Sequence, residues 1–194
     1  ANTEFIEYLF SNEVPEMENG AVQIKAIARE AGIRTKLAVA STVPGVDPVG
    51  TFVGGHGTRV QAVMSEIGDE EKIDIIMFDD DPTTFIANAL SPTKVTKVEL
   101  NKKENKAVVK VPDEEVSVAI GKGGQNVRLA SKLTGWDIDI QNSKGEPGGS
   151  ARPEERKKSG GRHNIEDDLL SAIESQGDEG SAKEESVTEE KAKS

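Results

Sequence analysis

The chain contains no cysteine among its 194 residues. A disulfide framework and a zinc site built from thiolates are therefore both excluded. No apolar run approaches the roughly 20 residues with which a helix spans a bilayer, and no signal-peptide pattern opens the chain. These absences predict a protein that acts in a reducing cytoplasm and makes no membrane contact. Because the first residue is Ala1 rather than Met, we expect a processed product or a piece of a longer protein.

Groups suited to catalysis or metal binding are also scarce. The two histidines are His56 and His163, and neither belongs to a recognisable triad or ligand cluster. The acidic run Asp79-Asp80-Asp81 is the strongest candidate for a cation site, yet adjacent carboxylates on a connector point in different directions. We interpret this run as solvated charge. The sequence therefore predicts no enzyme, no cofactor and no bound metal.

Hydrophobic residues make up 35% of the chain and are unevenly distributed. Residues 1–141 carry the Val, Ile, Leu and Phe of a core, whereas residues 142–194 are rich in Ser, Gly, Glu, Lys and Pro. That composition predicts a disordered acidic tail. Within the tail, residues 164–175 suit a short helix that begins at Asn164 and has one apolar face, made of Ile165, Leu169, Leu170 and Ile173. This segment is either a transient helix or one that folds on a protein partner.

Charge is also unevenly distributed. The net charge of −11 argues against nonspecific adhesion to nucleic acid. Residues 94–132 differ from the rest of the chain, with nine Lys or Arg against five Asp or Glu. A basic region on an acidic protein indicates a localised anionic partner.

A short signature with a Gly-x-x-Gly turn occurs twice, 67 positions apart. The first turn is Gly54-Gly55-His56-Gly57, and the second is Gly121-Lys122-Gly123-Gly124. Each turn follows an aliphatic residue and precedes two polar positions and a second aliphatic residue. The strings Ile73-Asp74-Ile75 and Ile138-Asp139-Ile140 continue the match, 65 positions apart. Such self-similarity predicts two copies of one structural unit.

Apolar periodicity predicts the same order of elements, α-β-β-α-α-β, around each turn. In the first copy, the predicted helices and strands cover residues 4–10, 22–27, 35–41, 48–53, 58–67 and 72–78. In the second copy they cover residues 82–90, 95–100, 107–111, 113–120, 127–133 and 136–140. The predicted fold class is therefore α+β, with two units that each have three strands in one layer and helices in the other.

Local signals add detail to this fold. Asp47 and Asp113 are each expected to cap the helix before a turn. The alternation of Leu37 and Val39 predicts a strand that is buried on one face. Residues 11–20 indicate a turn-rich connector.

The domain boundaries follow from the same pattern. We predict a first domain over residues 1–80, a second over residues 81–141 and a tail over residues 142–194. Only Asp79–Asp81 separates the two copies of the repeat. So short a connection predicts a fixed relative orientation of the domains.

The two glycine turns are suited to binding phosphate. A helix that ends, turns in four residues and restarts directs unpaired N–H groups and a helix N-terminus at one point. Glycines leave no Cβ to block a second backbone. Lys122 adds a positive charge, and Arg59 and Arg128 lie early enough in the following helices to reach adjacent phosphates. We expect further neutralisation from the basic hairpin of Lys102, Lys103 and Lys106.

The helices around each turn also offer apolar surface. We expect a floor for unstacked bases, made of Val49, Phe52, Val53 and Val60 in the first copy and of Val116, Ala119, Ile120 and Val127 in the second. Because duplex grooves give no equivalent access, the predicted ligand is a single strand of RNA. One such turn alone is explained equally well as the end of one helix and the start of another. Two copies in the same setting favour the binding interpretation.

A Gly-x-x-Gly turn between two helices, in this element order, resembles the prokaryotic (type II) KH domain. Longer strings over about residues 3–141 are similar to the tandem KH region of the NusA family of bacterial transcription factors. These strings include Glu13-Val14-Pro15-Glu16, Ile27-Ala28-Arg29-Glu30, Val46-Asp47-Pro48-Val49-Gly50, Phe85-Ile86-Ala87-Asn88-Ala89-Leu90 and Leu133-Thr134-Gly135-Trp136. The resemblance implies two tandem type II KH domains.

The resemblance also implies a protein that binds nascent single-stranded RNA at RNA polymerase and influences pausing, termination and antitermination. The family's binding elements fall on Gly54, Gly55, His56 and Gly57, and on Gly121, Lys122, Gly123 and Gly124. Full-length relatives carry a polymerase-binding domain and an OB-type RNA-binding domain before the KH pair. We expect this chain to be a C-terminal fragment, or a short protein without those domains. The alternative function is a KH-fold adaptor that holds proteins through the same surfaces.

Overall fold

The computed structural model describes residues 2–150, which form two successive modules. The first module contains α1 (Thr3–Glu13), α2 (Pro15–Glu18), β1 (Val22–Glu30), β2 (Arg34–Ser41), α3 (Pro48–Val53), α4 (Thr58–Ile67) and β3 (Lys72–Met77). The second contains α5 (Pro82–Ala89), β4 (Lys97–Asn101), β5 (Lys106–Lys110), α6 (Val116–Ile120), α7 (Gln125–Thr134), β6 (Asp137–Gln141) and β7 (Pro147–Ser150). The predicted tail helix over residues 164–175 lies outside the described residues.

Each module is a sheet packed against helices, which confirms the predicted α+β fold with two α-β-β-α-α-β units. In the first sheet, β1 runs antiparallel to β2, and β3 runs parallel to β2. The second sheet repeats this pattern with β4, β5 and β6 and adds β7, antiparallel to β6. Parallel neighbours need a crossover connection. In each module that crossover is the helix pair joined by the glycine turn, so both turns occupy the same place in the fold.

The two predicted aspartate caps behave differently. Asp47 caps α3 as predicted, because its side chain accepts a hydrogen bond from the N–H of Val49 at 3.0 Å. The prediction for Asp113 is wrong, since a 3-10 turn precedes α6 and no side chain caps that helix. The Asp113 carboxylate instead accepts a hydrogen bond from Ser143 Oγ at 2.7 Å. A contact 30 residues away in sequence has thus replaced the local one.

Two segments predicted to be irregular contain regular structure. Within residues 11–20, α1 continues to Glu13 and α2 begins at Pro15, where the fixed φ of proline suits a first helical turn. Within the predicted disordered tail, residues 147–150 form β7 and pair with β6. The expectation of disorder is therefore wrong for this part of the tail. An unpaired sheet edge accepts an added strand whatever the composition of the flanking chain.

Strand β2 is buried on both faces, contrary to the half-buried strand that its alternation predicts. Leu37 and Val39 lie in a core with the helices of the first module. Ala28, Ala38 and Ile76 come from the same sheet but pack in the core of the second module. The second module therefore covers the face of the first sheet that would otherwise meet solvent. The pattern of a single strand carries no information about that cover.

Polar contacts also join the two modules, which lie in one compact unit as the short connector predicts. Arg128 of α7 forms a bidentate ion pair with Glu30 of β1, with N–O distances of 2.6 and 3.0 Å. Lys36 of β2 is fully buried and donates a hydrogen bond to the carbonyl of Ser91 at 3.1 Å. Its ammonium also lies 3.4 Å from a carboxylate oxygen of Asp74. The bonds from Arg128 to Glu30 and from Lys36 to Ser91 cross the module boundary at two separate points.

One buried carboxylate organises the first sheet. Glu71 lies just before β3 and is only 1% exposed. It accepts hydrogen bonds from Arg29 at 2.8 and 2.9 Å, from Thr35 Oγ1 at 2.7 Å and from the N–H of Gly32 at 2.8 Å. Burial by itself would raise the pKa of Glu71, but these donors outweigh it and lower the pKa to about 2. Glu71 thus ties the β1–β2 turn to the start of β3.

We expect Glu71→Gln to lower the free energy of unfolding by about 3 kcal/mol at pH 7, because Arg29 would stay buried without its counter-charge. Urea denaturation measures this change. The matched control is Glu70→Gln at the exposed neighbouring position, which should shift the free energy by less than about 0.5 kcal/mol. Equal effects of the two substitutions would contradict the assignment.

The same carboxylate predicts a pH dependence. Its pKa is lowered from the ordinary value of 4.5 to about 2 by folding. The folded state therefore gains its full stabilisation above pH 4.5 and loses it as the pH falls toward 2. Unfolding of the Glu71→Gln variant should lack this part of the acid dependence.

Candidate nucleic-acid interface

The two glycine turns have the same backbone conformation. At the first position, Gly54 has φ/ψ of 76°/167° and Gly121 has 74°/170°. At the third position, His56 has 54°/24° and Gly123 has 60°/25°. The fourth positions, both left-handed, are Gly57 at 77°/16° and Gly124 at 75°/14°. The repeat found in the sequence is therefore a repeat of backbone geometry.

Close packing requires the first glycine of each turn. A Cβ on Gly54 would lie 2.8 Å from Cγ of Arg59 and 3.0 Å from its backbone N. A Cβ on Gly121 would lie 2.8 Å from Cβ of Asn126 and 2.9 Å from its backbone N. The left-handed φ adds strain for any other residue. Glycine here allows the helix after the turn to pack directly against the turn.

The helices that follow the turns begin with open N-termini. Glycine is the N-cap of both α4 and α7, and no side chain accepts a hydrogen bond from their first-turn amides. Gly55 and His56 of the first turn are exposed, as are Lys122 and Gly123 of the second. The first amides, those of Thr58 and Gln125, donate to the carbonyls of Gly55 and Lys122 inside the turns. The positive end of each helix dipole and the exposed turn tips favour an anion. Each turn is therefore a candidate phosphate site.

Lys122 lies at the tip of the second turn, beside a small cleft. The cleft has a volume of about 150 Å³, and Arg34, Pro92, Val118 and Gln125 contribute to its lining. Val118 is an apolar side chain with 43% of its surface exposed. Across residues 2–150, no carboxylate forms an ion pair with Lys122. The cleft thus combines an uncompensated positive charge with an apolar wall.

The two candidate arginines are already engaged within the protein. Arg59 forms an ion pair with Glu16, with N–O distances of 3.0 and 3.2 Å. Arg128 pairs with Glu30 and also donates from Nη1 to the carbonyl of Gly123 at 3.1 Å. The hydrogen bonds from Arg128 lower the pKa of Glu30. Much of the arginine charge is therefore compensated, and contact of either arginine with phosphate stays a prediction.

Asn126 is a site residue that the sequence reasoning missed. It occupies the position of Arg59 in the repeat, 67 residues later. Its Nδ2 donates to the carbonyls of Val118 and Ala119 at 3.3 and 3.1 Å. Arg59 Nη1 donates to the carbonyl of Thr51, the repeat equivalent of Val118, at 2.8 Å. Both side chains satisfy carbonyls at the end of the helix before the turn, and aligning the two copies would have identified Asn126.

The basic hairpin lies apart from the second turn. Lys102 and Lys103 are exposed between β4 and β5. Asn105, in the same connection, donates from Nδ2 to the carbonyl of Gly135 at 2.7 Å. Gly135 is the C-cap of α7, whereas Lys122 precedes the N-terminus of that helix. The ten residues of α7 span about 15 Å, so the structure separates the hairpin from Lys122.

The predicted apolar floor is only partly available. Phe52, Ala119 and Val127 are fully buried in the two cores and cannot contact a ligand. The remaining members are half-buried at the surface, namely Val49, Val53 and Val60 in the first module and Val116 and Ile120 in the second. Helical spacing identifies an apolar stripe but does not show which of its residues are buried in the core and which lie at the surface.

Other kinds of site receive no support from the part of the chain that the structure describes. Across residues 2–150, no three His, Asp or Glu side chains converge as a metal site. In the same range, no helix is both long and apolar enough to span a bilayer.

Comparison with known proteins matches both modules to one family. Residues 1–78 match the NusA-like first KH domain, and residues 82–147 match the NusA-like second KH domain. The crystal structure of APE1850 is a distant match, with a TM-score of 0.49 and 22% identity over 72% of this chain and 95% of that chain.

Three similar relatives are each named transcription termination/antitermination protein NusA. The protein of Thermus thermophilus is 54% identical over 141 residues, which are 73% of this chain and 36% of the relative. The protein of Bacillus subtilis is 54% identical over 136 residues, with 70% and 36% covered. The protein of Mycobacterium tuberculosis is 55% identical over 137 residues, with 70% and 39% covered. The chain thus spans little more than a third of the length of these relatives.

The order of the two matches along the chain agrees with the order of the two modules. They confirm the resemblance on which the sequence interpretation depends. The chain belongs to the NusA-like family of tandem KH domains.

Proposed function

We propose that the two glycine turns bind the backbone phosphates of single-stranded RNA and that the chain acts by binding rather than by catalysis. The observation that carries this proposal is the identical conformation of the two turns, each followed by an open helix N-terminus. A turn that serves only to end one helix and begin the next has no need of the same conformation and an exposed tip in both modules. Two copies with exposed tips are explained better by a ligand that contacts both.

The site residues have different roles in this proposal. The turns Gly54–Gly57 and Gly121–Gly124 supply amides and close backbone approach, and Lys122 supplies the strongest free charge. Arg59 and Arg128 hold the turns through their internal hydrogen bonds and contribute a weaker, partly compensated positive field. The hairpin lysines act at a separate point of the surface.

We propose that one RNA strand crosses both modules. A KH clamp holds about four nucleotides. The ion pair of Arg128 with Glu30 and the buried bond of Lys36 to Ser91 set the relative orientation of the two turns. A strand bound at one turn is therefore presented to the other at a fixed distance, which raises its effective concentration there.

We further propose that the RNA is a nascent transcript and that the chain acts with RNA polymerase in the cytoplasm, where it modulates pausing, termination and antitermination. The support is the name shared by the relatives and the match of both KH domains. The chain covers only 36% of the Thermus thermophilus relative. We therefore propose that the chain acts in a complex with RNA polymerase, without assigning the polymerase contact to a particular surface of the two modules.

A protein-binding adaptor is the second candidate function. It is favoured by exposed apolar side chains on α1, where Phe5 is 41% and Tyr8 is 62% exposed. Filter binding of single-stranded RNA at low salt separates the two functions. Absence of any affinity would favour the adaptor.

Acidic substitutions test each glycine turn separately. We expect Gly55→Asp with His56→Asp, or Lys122→Asp with Gly123→Asp, to lower RNA affinity at least about tenfold, or about 1.4 kcal/mol. The added carboxylates would repel phosphate. A Cβ on Gly55 or Gly123 meets no atom within 4 Å. Gly123 has a positive φ, but His56 carries a side chain in the same conformation at the equivalent position, so the folded state should persist, as judged by circular dichroism. Unchanged affinity in both variants would exclude the turns as the binding site.

A charge exchange tests the role of Lys122. We expect Lys122→Ala to reduce the log–log salt slope of RNA affinity by about 0.7, the loss of one phosphate contact on a single strand. Gly55→Lys should raise the slope by a similar amount, because Gly55 is the equivalent position of the first turn and has open space around it. Fluorescence anisotropy over a range of salt concentrations measures both slopes. A slope that does not respond to either change would refute the assignment.

Alanine substitutions test the close packing of the first glycine. We expect Gly121→Ala to lower the free energy of unfolding by more than about 1 kcal/mol and to weaken RNA binding, because its Cβ would clash with Asn126. Gly55→Ala is the matched control, since its Cβ meets no atom within 4 Å. Urea denaturation and RNA titration measure these changes. Equal unfolding free energies and equal RNA affinities of the two variants would contradict the proposal.

A further inference from the structure

Strand β7 lies against the helix that leads into the second glycine turn. Its backbone pairs with β6, with Gly149 opposite Ile140 and Pro147 opposite Gln141. Its two glycines also pack on α6. The strand therefore contacts both the helix and the edge strand that border the apolar surface beside the second turn.

The fit of β7 against α6 is close enough to require glycine. A Cβ on Gly148 would lie 2.7 Å from Cγ1 of Val116, and a Cβ on Gly149 would lie 3.0 Å from Cδ1 of Ile120. Ile120 immediately precedes Gly121, the first residue of the turn. The backbone of β7 thus covers the two half-buried members of the predicted floor in the second module.

Contacts on the preceding turn hold β7 in place. Asp113, just before α6, accepts hydrogen bonds from Oγ and the backbone N–H of Ser143 at 2.7 and 3.4 Å. The N–H of Asn142 donates to the carbonyl of Glu146 at 3.1 Å. The two bonds from Ser143 are exposed, and the strand itself has four residues. So small and exposed an element is suited to reversible release.

The first module has no counterpart of β7 among residues 2–150, where its sheet ends at β3. The equivalents of Val116 and Ile120 are Val49 and Val53, which stay half-buried at the surface. Met77 is the repeat equivalent of Asn142, where the turn before β7 begins. Among residues 2–150, no strand covers Val49 and Val53 as β7 covers Val116 and Ile120.

We propose that residues 142–150 compete with RNA for the second module. When β7 pairs with β6, the segment covers the apolar surface beside Gly121, and bases cannot reach Val116 and Ile120. When β7 is released, the second module presents the same open surface as the first. This inference depends on the proposed function, because it assigns the competitor to the RNA site named there. An apparent dissociation constant equals the intrinsic constant divided by the open fraction, so a segment bound nine-tenths of the time weakens RNA binding about tenfold.

An engineered disulfide tests the competition, and the absence of cysteine from the chain makes that bond unique. Gln141→Cys and Pro147→Cys place the thiols on paired positions of an antiparallel ladder. The register shifts between Ile140 and Gln141, so this pair lies beside a bulge. Regular antiparallel partners have Cα atoms about 4.5–5.5 Å apart, within the range that a disulfide bridges. Gly55→Asp and His56→Asp disable the first glycine turn, so that the RNA affinity of the second module is measured alone in the full chain. Labelling of free thiols confirms oxidation and reduction.

We expect the oxidised protein to bind single-stranded RNA at least about tenfold more weakly than the same protein after reduction. The reduced protein should match the single variant Gln141→Cys, whose affinity should not respond to the reductant. Equal affinities of the oxidised and reduced forms would overturn the competition while leaving RNA binding intact. If the chain with an intact first clamp also failed to bind RNA, the proposed function itself would fail.

A second variant is expected to change RNA affinity in the opposite direction. Gly148→Val with Gly149→Val adds side chains that clash with Val116 and Ile120, so β7 should leave the surface and RNA affinity of the second module should rise. Both positions lie outside the two buried cores, and urea denaturation checks that folding persists. An affinity that stays the same or falls in a folded variant would show that β7 only completes the sheet.

Discussion

The packing of the second module on the outer face of the first sheet is the constraint on which the rest of the structure depends. Small side chains, Ala28 and Ala38, allow α7 to approach β1 and β2 closely. Lys36 is fully buried in this region, and burial lowers its pKa more than the nearby carboxylate of Asp74 raises it. An unpaired buried ammonium is costly, so its bond to Ser91 of the second module favours one arrangement of the modules over others.

Helix α7 connects this packing to the candidate binding surface. Its open N-terminus follows the second glycine turn, its middle packs on the first sheet, and its C-cap meets the basic hairpin. Arg128 belongs to two of these regions, because it pairs with Glu30 of the first module and bonds to Gly123 of the turn. The orientation of the modules and the shape of the second turn are therefore stabilised by the same side chain.

Local signals in the sequence succeeded where the interacting residues are close along the chain. Asp47 caps α3 through an amide two residues away, and the glycine turns form with nearly equal dihedral angles. The same reasoning failed for Asp113, whose partner is Ser143. The predicted phosphate contacts of Arg59 and Arg128 remain predictions, and each arginine also has a carboxylate partner far away in sequence. Charge and spacing alone do not show whether an arginine is already paired.

The sequence by itself determined the two α-β-β-α-α-β units, the turns and the family, because these depend on periodicity, glycine positions and a repeat that can be read along the chain. Only the tertiary structure decided that β2 is buried on both faces, that Arg59 and Arg128 each have a carboxylate partner, and that β7 covers the second module. Each of these features brings together residues from distant segments. Which surface becomes buried depends on contacts made by residues of both modules together, and no single stretch of sequence specifies those contacts.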